Sequence, residues 1–248
     1  MMHLLRSEWL KLRTVRVNYV LGIIAAAFPI VVIALIAALS GEPGSTANDL
    51  VGAVTATMLL TAIMLGVIGA LNLTTEYSHN TIRTSFAAVP QRVKVLGAKA
   101  AVTLLVVVVF AALVELITYS IGAAILSSRD AHVTIDGSDR AALLGAVVLA
   151  GMLAMLGYGL GLLIRNSPAT VSILILWPLL LESIVRGVLS AAGIENPTPW
   201  LPYQSALQMA SPDLGSGDPT RVRAGLFLGV VVIVFVTVGV FVNERRDA

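Results

Sequence analysis

Six long apolar stretches dominate this chain of 248 residues. A bilayer core of about 30 Å needs about 20 apolar residues in an α-helix, because each residue advances the helix by about 1.5 Å. Charged residues make up only 12% of the chain, whereas a soluble domain carries about 25%. The sequence therefore predicts an all-α integral membrane protein, a bundle of six transmembrane helices. The predicted spans cover residues 19–39, 50–73, 100–126, 141–164, 169–189 and 224–242.

The rest of the chain consists of short connections and one longer segment at residues 190–223. A soluble catalytic domain of ordinary size has at least about 50 residues of its own, and no connection offers that length. We therefore expect residues 1–248 to form a single transmembrane domain, with any chemistry confined to the spans and their connections.

Basic residues are distributed unequally between the two sets of connections. Eleven of the 16 lie before the first span, between spans two and three, between spans four and five, and after the sixth span. Cytoplasmic loops carry the excess of Lys and Arg, so both termini and residues 74–94 are predicted to be cytoplasmic in a multi-pass protein of the inner (plasma) membrane. The net charge of +2 then reflects this topology, and we expect no nucleic-acid partner.

Residues 1–17 predict an amphipathic helix at the membrane interface. Leu5, Trp9 and Leu12 recur at i, i+4 and i+7 on one helical face, and Lys11 and Arg13 lie to its sides. Such a helix rests in the inner interface, with Trp9 at headgroup depth and its cations near anionic lipid. The same pattern also fits an ordinary basic anchor, which is compatible with any function.

The connection at residues 74–94 predicts a short cytoplasmic helix. Residues able to cap a helix precede Pro90, which stops it, and Ile82, Phe86 and Val89 recur at i, i+4 and i+7 between them. This small apolar face on a basic hairpin suits docking into a groove on a soluble partner. The alternative is that the helix rests on the inner leaflet.

Three features together carry a resemblance to a known family. They are the basic N-terminal segment Ser-Glu-Trp-Leu-Lys-Leu-Arg, the six spans, and the motif Glu-Tyr-x-x-x-Thr-Ile-Arg-Thr-Ser-Phe-Ala-Ala-Val-Pro at residues 76–90. With these features the whole chain resembles the permease subunits of type-2 ABC exporters, particularly actinobacterial ones.

The resemblance implies a permease subunit that pairs with a second permease copy or paralogue and with separate P-loop ATPase subunits. It implies that the N-terminal helix, with Trp9, Lys11 and Arg13, lies at the cytoplasmic interface. It also implies a short or re-entrant helical element between spans five and six. The segment after the second span would be the coupling helix that receives the ATPase stroke. By position, its residues would be Glu76, Tyr77, Ile82, Arg83, Phe86 and Val89.

No segment of the chain matches the phosphate-binding pattern Gly-x-x-x-x-Gly-Lys-Ser/Thr. We therefore expect that the chain is not an enzyme, that it binds no cofactor, and that ATP and Mg²⁺ are bound by the partner ATPase. The three histidines, His3, His79 and His132, lie on separate segments, and we expect no metal site.

Four polar residues within the predicted spans are candidates for a translocation path or gate: Glu115, Tyr119, Glu182 and Arg186. Charge at the bilayer centre is costly, so such residues are functional candidates by default. In the structural alternative Glu115 bonds a neighbouring helix, and Glu182 and Arg186, four residues apart, pair with each other. Glu115 also leaves open a second function, an ion-coupled secondary transporter, which needs ionisable groups near mid-membrane.

Prolines and glycines mark expected features of three spans. Pro29 and Pro178 lack the N–H of the helix ladder and are predicted to bend the first and fifth spans. Gly157 and Gly161 form a small-x-x-x-small pair that lets helices approach closely.

Overall fold

The computed structural model describes residues 2–79, 81–82, 91–214 and 220–245, without the side chains of residues 2 and 3. Within these ranges the chain is helical and contains no β-strand. Six of its helices are long and apolar enough to cross a membrane, and the chain is therefore a multi-pass membrane protein.

The first half of the chain begins with a helix outside the spans. α1 (Met2–Thr14) ends at Val15, whose extended backbone separates it from α2 (Arg16–Leu39), the first span. A short α3 (Pro43–Asn48) then leads into α4 (Leu50–Ser78), the second span.

The second half contains four more spans. α5 (Arg92–Ser127) and α6 (Gly137–Ile164) are continuous helices. The fifth span consists of α7 (Ser167–Leu176), a π-helical turn (Trp177–Leu181) and α8 (Glu182–Ala191). After a 3₁₀ turn, α9 (Pro202–Leu207) forms a short helix, and α10 (Arg221–Arg245) is the sixth span.

Several predicted boundaries shift. α4 runs through Ser78 and α5 begins at Arg92, so both ends of the predicted connection at residues 74–94 belong to helices. Pro178 lies inside the π-helical turn, which absorbs the missing backbone hydrogen bond, whereas α2 continues through Pro29. A short helix, α9, occupies the long connection before the last span, where a helical element was expected.

α4 and α6 form the centre of the bundle. In the apolar window of α4 67% of residues are buried, against 22% in α2, and its most extensive contacts are with α6. Glycines permit this contact: a Cβ atom at Gly157 of α6 would overlap the carbonyl of Gly66 of α4, and one at Gly69 would overlap the carbonyl of Ala154. The two backbones approach closely because both helices lack side chains there.

The two ends of the bundle differ in the helices and helix termini that lie there. The end that carries α1, the C-termini of α4, α6 and α10 and the N-termini of α5 and α7 is called the basic end below. At the opposite end, Arg129, in the turn that follows α5, donates hydrogen bonds of 2.7 Å to the carbonyls of Ala37 and Ser40, which close the C-terminus of α2.

The Gly157 contact predicts a specific sensitivity. We expect Gly157→Ala to lower the free energy of unfolding by about 1–3 kcal/mol, because the added methyl group forces α6 away from α4. The control is Gly97→Ala on α5, where a Cβ meets no atom within 4 Å and higher helix propensity gives a slight gain. Unfolding in detergent micelles measures both, and equal stability of the two variants would contradict the close contact.

Candidate functional site

Four charged side chains meet at the basic end, and we call them the buried charge cluster: Glu8 and Lys11 of α1, Glu76 of α4 and Lys99 of α5. The Lys99 Nζ atom lies 2.5 Å from Glu8 Oε2 and 2.9 Å from Glu76 Oε1. Lys11 Nζ lies 2.7 Å from Glu8 Oε1 and 3.0 Å from Glu76 Oε1. Two cations therefore bridge two carboxylates, and α1 is tied to the ends of two spans.

The cluster is formally neutral, which makes its burial tolerable. Lys99 is 0% exposed and Glu8 1% exposed, so water screens neither charge. A buried charge is stable only when it is paired and its hydrogen-bonding capacity is used. Lys99 also donates to the Asn72 carbonyl at 3.4 Å, and Asn72 in turn donates to Thr103 at 2.6 Å, which holds α4 against α5.

Lys11 stays charged in this position. Burial by itself lowers the pKa of Lys11, but its hydrogen bonds to Glu8 and Glu76 and their negative charges outweigh burial, and the pKa lies above its ordinary value. Lys11 therefore contributes a positive charge to the buried charge cluster at neutral pH.

A second set of contacts, the Asn243 network, lies on the other side of α4. The Asn243 Oδ1 atom accepts hydrogen bonds from the Tyr77 hydroxyl and, at 2.5 Å, from Arg165. Its amide donates to the carbonyls of Leu162 and Gly239, at 2.8 and 2.7 Å. The Arg165 guanidinium also lies 4.9 Å from the centre of the Tyr77 ring, a cation–π contact.

The last turn of α4 joins these two sets of contacts. Glu76 belongs to the buried charge cluster and Tyr77, the next residue, to the Asn243 network. One turn away, Thr74 accepts a hydrogen bond of 2.9 Å from Ser167 at the start of α7. This single turn therefore contacts α1, α5, α7 and α10, and also Arg165 directly after the end of α6.

Comparison with protein families gives one match. The model of the ABC-2 family transporter proteins matches residues 4–178, more than half of the chain. The chain belongs to the ABC-2 transporter family. No curated protein sequence matches it significantly.

Membership defines the class of the protein as an ABC permease subunit. Subunits of this family are generally transport components without enzymatic activity, and they normally work with ABC ATPase subunits that hydrolyse ATP.

Only part of the predicted coupling segment lies among the described residues. Arg83, Phe86 and Val89 lie outside them, and their assignment stays a prediction. Ile82 is 2% exposed and packs with Leu73 and Tyr158 within the permease. The Ile82 side chain is therefore directed into the permease in this structure, and its assignment to the docking face stays a prediction.

The N-terminal helix packs one face against the bundle. Leu12 is buried and Leu5 half-buried, but Trp9 is 47% exposed, and Glu8 is the residue buried between Leu5 and Leu12. Lys11 joins the buried charge cluster, whereas Arg13 is exposed. The pairing with Lys99 turns α1 so that the Glu8 carboxylate enters the bundle, and the place of Trp9, Lys11 and Arg13 at the membrane interface stays a prediction.

Glu115 and Tyr119 lie on α5, and the expected bond from Glu115 to a neighbouring helix is not formed. Glu115 is buried, and neither of its carboxylate oxygens has a hydrogen-bond partner among the described residues. Tyr119 is half-buried against the main apolar core. Their role in a translocation path stays a prediction.

The expected pair of Glu182 with Arg186 is also not formed. The Glu182 carboxylate accepts hydrogen bonds from the Trp177 indole at 2.8 Å and from the backbone N–H groups of Tyr203 and Gln204, at 2.9 and 2.8 Å. Arg186 is exposed on the outside of α8. Glu182 thus fastens α9 to the fifth span, because its two oxygens match the free N–H groups at the start of that short helix.

Tyr203 of α9 is affected by this arrangement. Burial, followed by the nearby charge of Glu182, raises the pKa of Tyr203 to about 12. Its phenol is therefore neutral at physiological pH and fills the space between α9 and the spans as an uncharged aromatic side chain.

Glu8, Lys99 and Asn243 were not among the predicted site residues. In the sequence Glu8 and Lys99 look like ordinary charges near span ends, and Asn243 is a single amide before a basic terminus. Glu8 gave one usable signal, since it lies between Leu5 and Leu12 on the apolar face of α1. An acidic residue on that face indicates a buried cation elsewhere, but periodicity cannot identify it.

The buried charge cluster predicts a strong and non-additive response to mutation. We expect Lys99→Met to lower the free energy of unfolding by about 3–5 kcal/mol, because it leaves buried carboxylate charge unpaired. The double variant Lys99→Met/Glu8→Gln should recover more than half of that loss, since Lys11 and Glu76 remain as a neutral pair.

The matched control for this cycle is Lys94→Met, which removes an exposed lysine near the start of the same helix. We expect it to change the free energy of unfolding by less than about 0.5 kcal/mol. Strictly additive losses in the double variant would show that Glu8 and Lys99 do not interact.

Proposed function

We propose that this permease is the membrane subunit of an ATP-driven exporter in the plasma membrane, and that the last turn of α4 passes the ATPase stroke to the bundle. The observation that supports the proposal is the position of Glu76 and Tyr77. They are adjacent, they directly precede the segment at residues 78–90, and they are bonded to two different groups of helices.

The ion pairs of Glu76 and the hydrogen bond of Tyr77 respond to a movement of α4 differently from apolar contacts. Van der Waals contacts between aliphatic side chains change gradually when helices slide, whereas a buried ion pair or hydrogen bond must be kept or lost. A push on residues 78–90 would therefore move α1 and α5 through Glu76, and α6 and α10 through Tyr77, as connected bodies. Such linked movement is what alternating access requires of a permease.

The basic end is assigned to the cytoplasm in this proposal. Eleven of the 16 Lys and Arg residues lie in the segments that meet at that end, as the positive-inside rule expects of cytoplasmic segments. Both termini and the coupling segment then face the compartment that holds ATP. ATP and Mg²⁺ bind to the separate ATPase subunits, and this chain binds no cofactor.

A second permease, either a copy or a paralogue, completes the transporter in this proposal. α2, the fifth span and α10 each have only 22% of their apolar window buried within the chain. Exposed apolar side chains on these helices leave room for a partner permease as well as lipid. The resemblance to actinobacterial members in particular remains a prediction.

One observation favours a second candidate function, an ion-coupled secondary transporter. Glu115 places a carboxylate in the middle of α5 with both oxygens unbonded among the described residues. To separate the functions, the tagged chain is purified from its native membrane and the proteins bound to it are identified by mass spectrometry. A P-loop ATPase in near-stoichiometric amount supports the exporter. A chain that purifies alone and moves solute in liposomes under an ion gradient supports the carrier.

Phe86 gives a direct test of the coupling segment. We expect Phe86→Asp to abolish co-purification of the ATPase while leaving membrane insertion intact, because a charge prevents an apolar side chain from entering a groove on the partner. The control is Leu214→Asp, which places the same charge on an exposed leucine at the opposite end. Undiminished co-purification of the Phe86 variant would overturn the assignment.

Glu76 and Tyr77 test transmission separately from docking. The chain contains no cysteine, so spin labels can be attached at exposed positions through Lys94→Cys on α5 and Glu244→Cys on α10. We expect ATP to change the distance between the labels in the complex, and Glu76→Gln/Tyr77→Phe to suppress that change although the ATPase still co-purifies. An unaltered distance change in the double variant would show that the stroke takes another route.

A further inference from the structure

A large apolar cavity lies at the basic end on the side of the bundle away from the Asn243 network. Its volume is about 450 Å³, and α1, α2, α4 and α5 form its walls. This volume falls in the range of about 300–1,000 Å³ that is typical of small-molecule sites. The cavity is not part of the buried charge cluster, and membership of the family assigns no function to it.

The cavity is open to the membrane on one side and closed on the other. Its floor consists of the buried side chains Leu12, Leu65 and Val107. Its rim includes Tyr19 and Ile23, which are 51% and 66% exposed. Because the rim lies on the outward side of α2, a ligand can enter from the lipid phase without crossing the core.

Two polar groups line the mouth of this apolar space. Arg13 is exposed, and no described residue forms an ion pair with it. The Asn18 amide donates to the Leu12 carbonyl at 3.2 Å, which leaves the Asn18 Oδ1 atom buried without a hydrogen-bond partner among the described residues. The lining of the cavity therefore includes a cation, an unused hydrogen-bond acceptor and the aromatic side chain of Trp9.

These groups define the chemistry of the occupant. A guanidinium binds phosphate through charge-assisted hydrogen bonds, and the free Asn18 oxygen requires an O–H or N–H donor. The apolar walls require a flexible hydrocarbon chain, since floor and walls are built from Leu, Ile, Val and Phe side chains. An anionic phospholipid with a hydroxylated headgroup has all three parts: phosphate, hydroxyl donor and acyl chain.

We propose that this cavity binds one anionic glycerophospholipid of the adjacent leaflet, with an acyl chain in the apolar space, its phosphate on Arg13 and a headgroup hydroxyl on Asn18. Lipids of the phosphatidylglycerol type have this chemistry. The bound lipid fills the gap between α1 and the spans, so it supports the helix that carries Glu8 and Lys11 into the buried charge cluster.

Gly22 offers a way to close the cavity without changing its charge. A Cβ atom at Gly22 would lie 3.8 Å from the Phe110 ring, which is ordinary contact, so a longer side chain must extend into the empty space. Gly22→Leu therefore fills the cavity. Gly187→Leu is the matched control, since Gly187 is exposed on α8 and no atom lies within 4 Å of its Cβ position.

The experiment is native mass spectrometry of the full chain in detergent micelles, titrated with phosphatidylglycerol and, separately, with phosphatidylcholine of the same acyl chains. We expect one tightly held phosphatidylglycerol per chain and weaker retention of phosphatidylcholine. Gly22→Leu should lose that lipid and Gly187→Leu should keep it. If Gly22→Leu is not monodisperse, Val106→Phe fills the same cavity from α5.

Substitution of single arginines distinguishes a specific lipid site from general electrostatic attraction of anionic lipid to a basic surface. Arg13→Gln should weaken phosphatidylglycerol binding about tenfold, the effect of losing one charge-assisted hydrogen bond. Arg16→Gln, at an exposed arginine that does not line the cavity, should leave binding unchanged. Equal weakening by both substitutions would overturn the proposal, as would retention of the lipid by both cavity-filling variants.

A cross-linking experiment tests whether a second permease, instead of lipid, covers the rim of the cavity. Ile23→Cys places a single thiol on the rim of a chain that has no other cysteine. We expect no disulfide-linked dimer in lipid vesicles that contain phosphatidylglycerol, because lipid covers the rim. Efficient cross-linking between two copies would show that a second permease occupies this face, and the lipid site would be rejected.

Discussion

A fully buried lysine ammonium near the end of a membrane helix governs the basic end of this permease. Lys99 cannot be hydrated there, so two carboxylates must reach it, and one of them comes from outside the spans on α1. Glu8 can reach Lys99 only if α1 packs against α5 with the Glu8 side chain turned inward. Trp9 stays exposed, and the apolar cavity lies between α1 and the spans that follow the break at Val15.

The centre of the bundle depends on a different constraint, backbone contact. α4 and α6 meet where Gly66, Gly69 and Gly157 remove side chains from the interface, so van der Waals contact and not charge holds the core. Polar bonds at the two ends fasten α1 to the last turn of α4 at the basic end, and α9 to the fifth span through Glu182 at the other. The apolar centre is thus held by close packing, and the ends are held by ion pairs and hydrogen bonds.

The fold class followed from the sequence to a large extent. Length and hydropathy alone define the six spans, because lipid forces every backbone polar group into a helix of membrane length. The boundaries were less certain: α4 continues through Ser78 and α5 begins at Arg92, so both ends of the predicted connection at residues 74–94 belong to helices. Among candidate site residues, Glu76 and Tyr77 meet the networks described here, whereas Ile82 is buried within the chain and Glu182 bonds α9 instead of Arg186.

The sequence by itself determined that this chain crosses a membrane six times, that basic residues gather at one end, and that it resembles an ABC permease. Those properties are local, because they depend on the composition and length of each segment. Only the tertiary structure decided which charges pair, which face of α1 is buried, and where a cavity remains. Glu8 and Lys99 are 91 positions apart, and no periodicity links them; their contact exists because helix packing brings both into a space from which water is excluded.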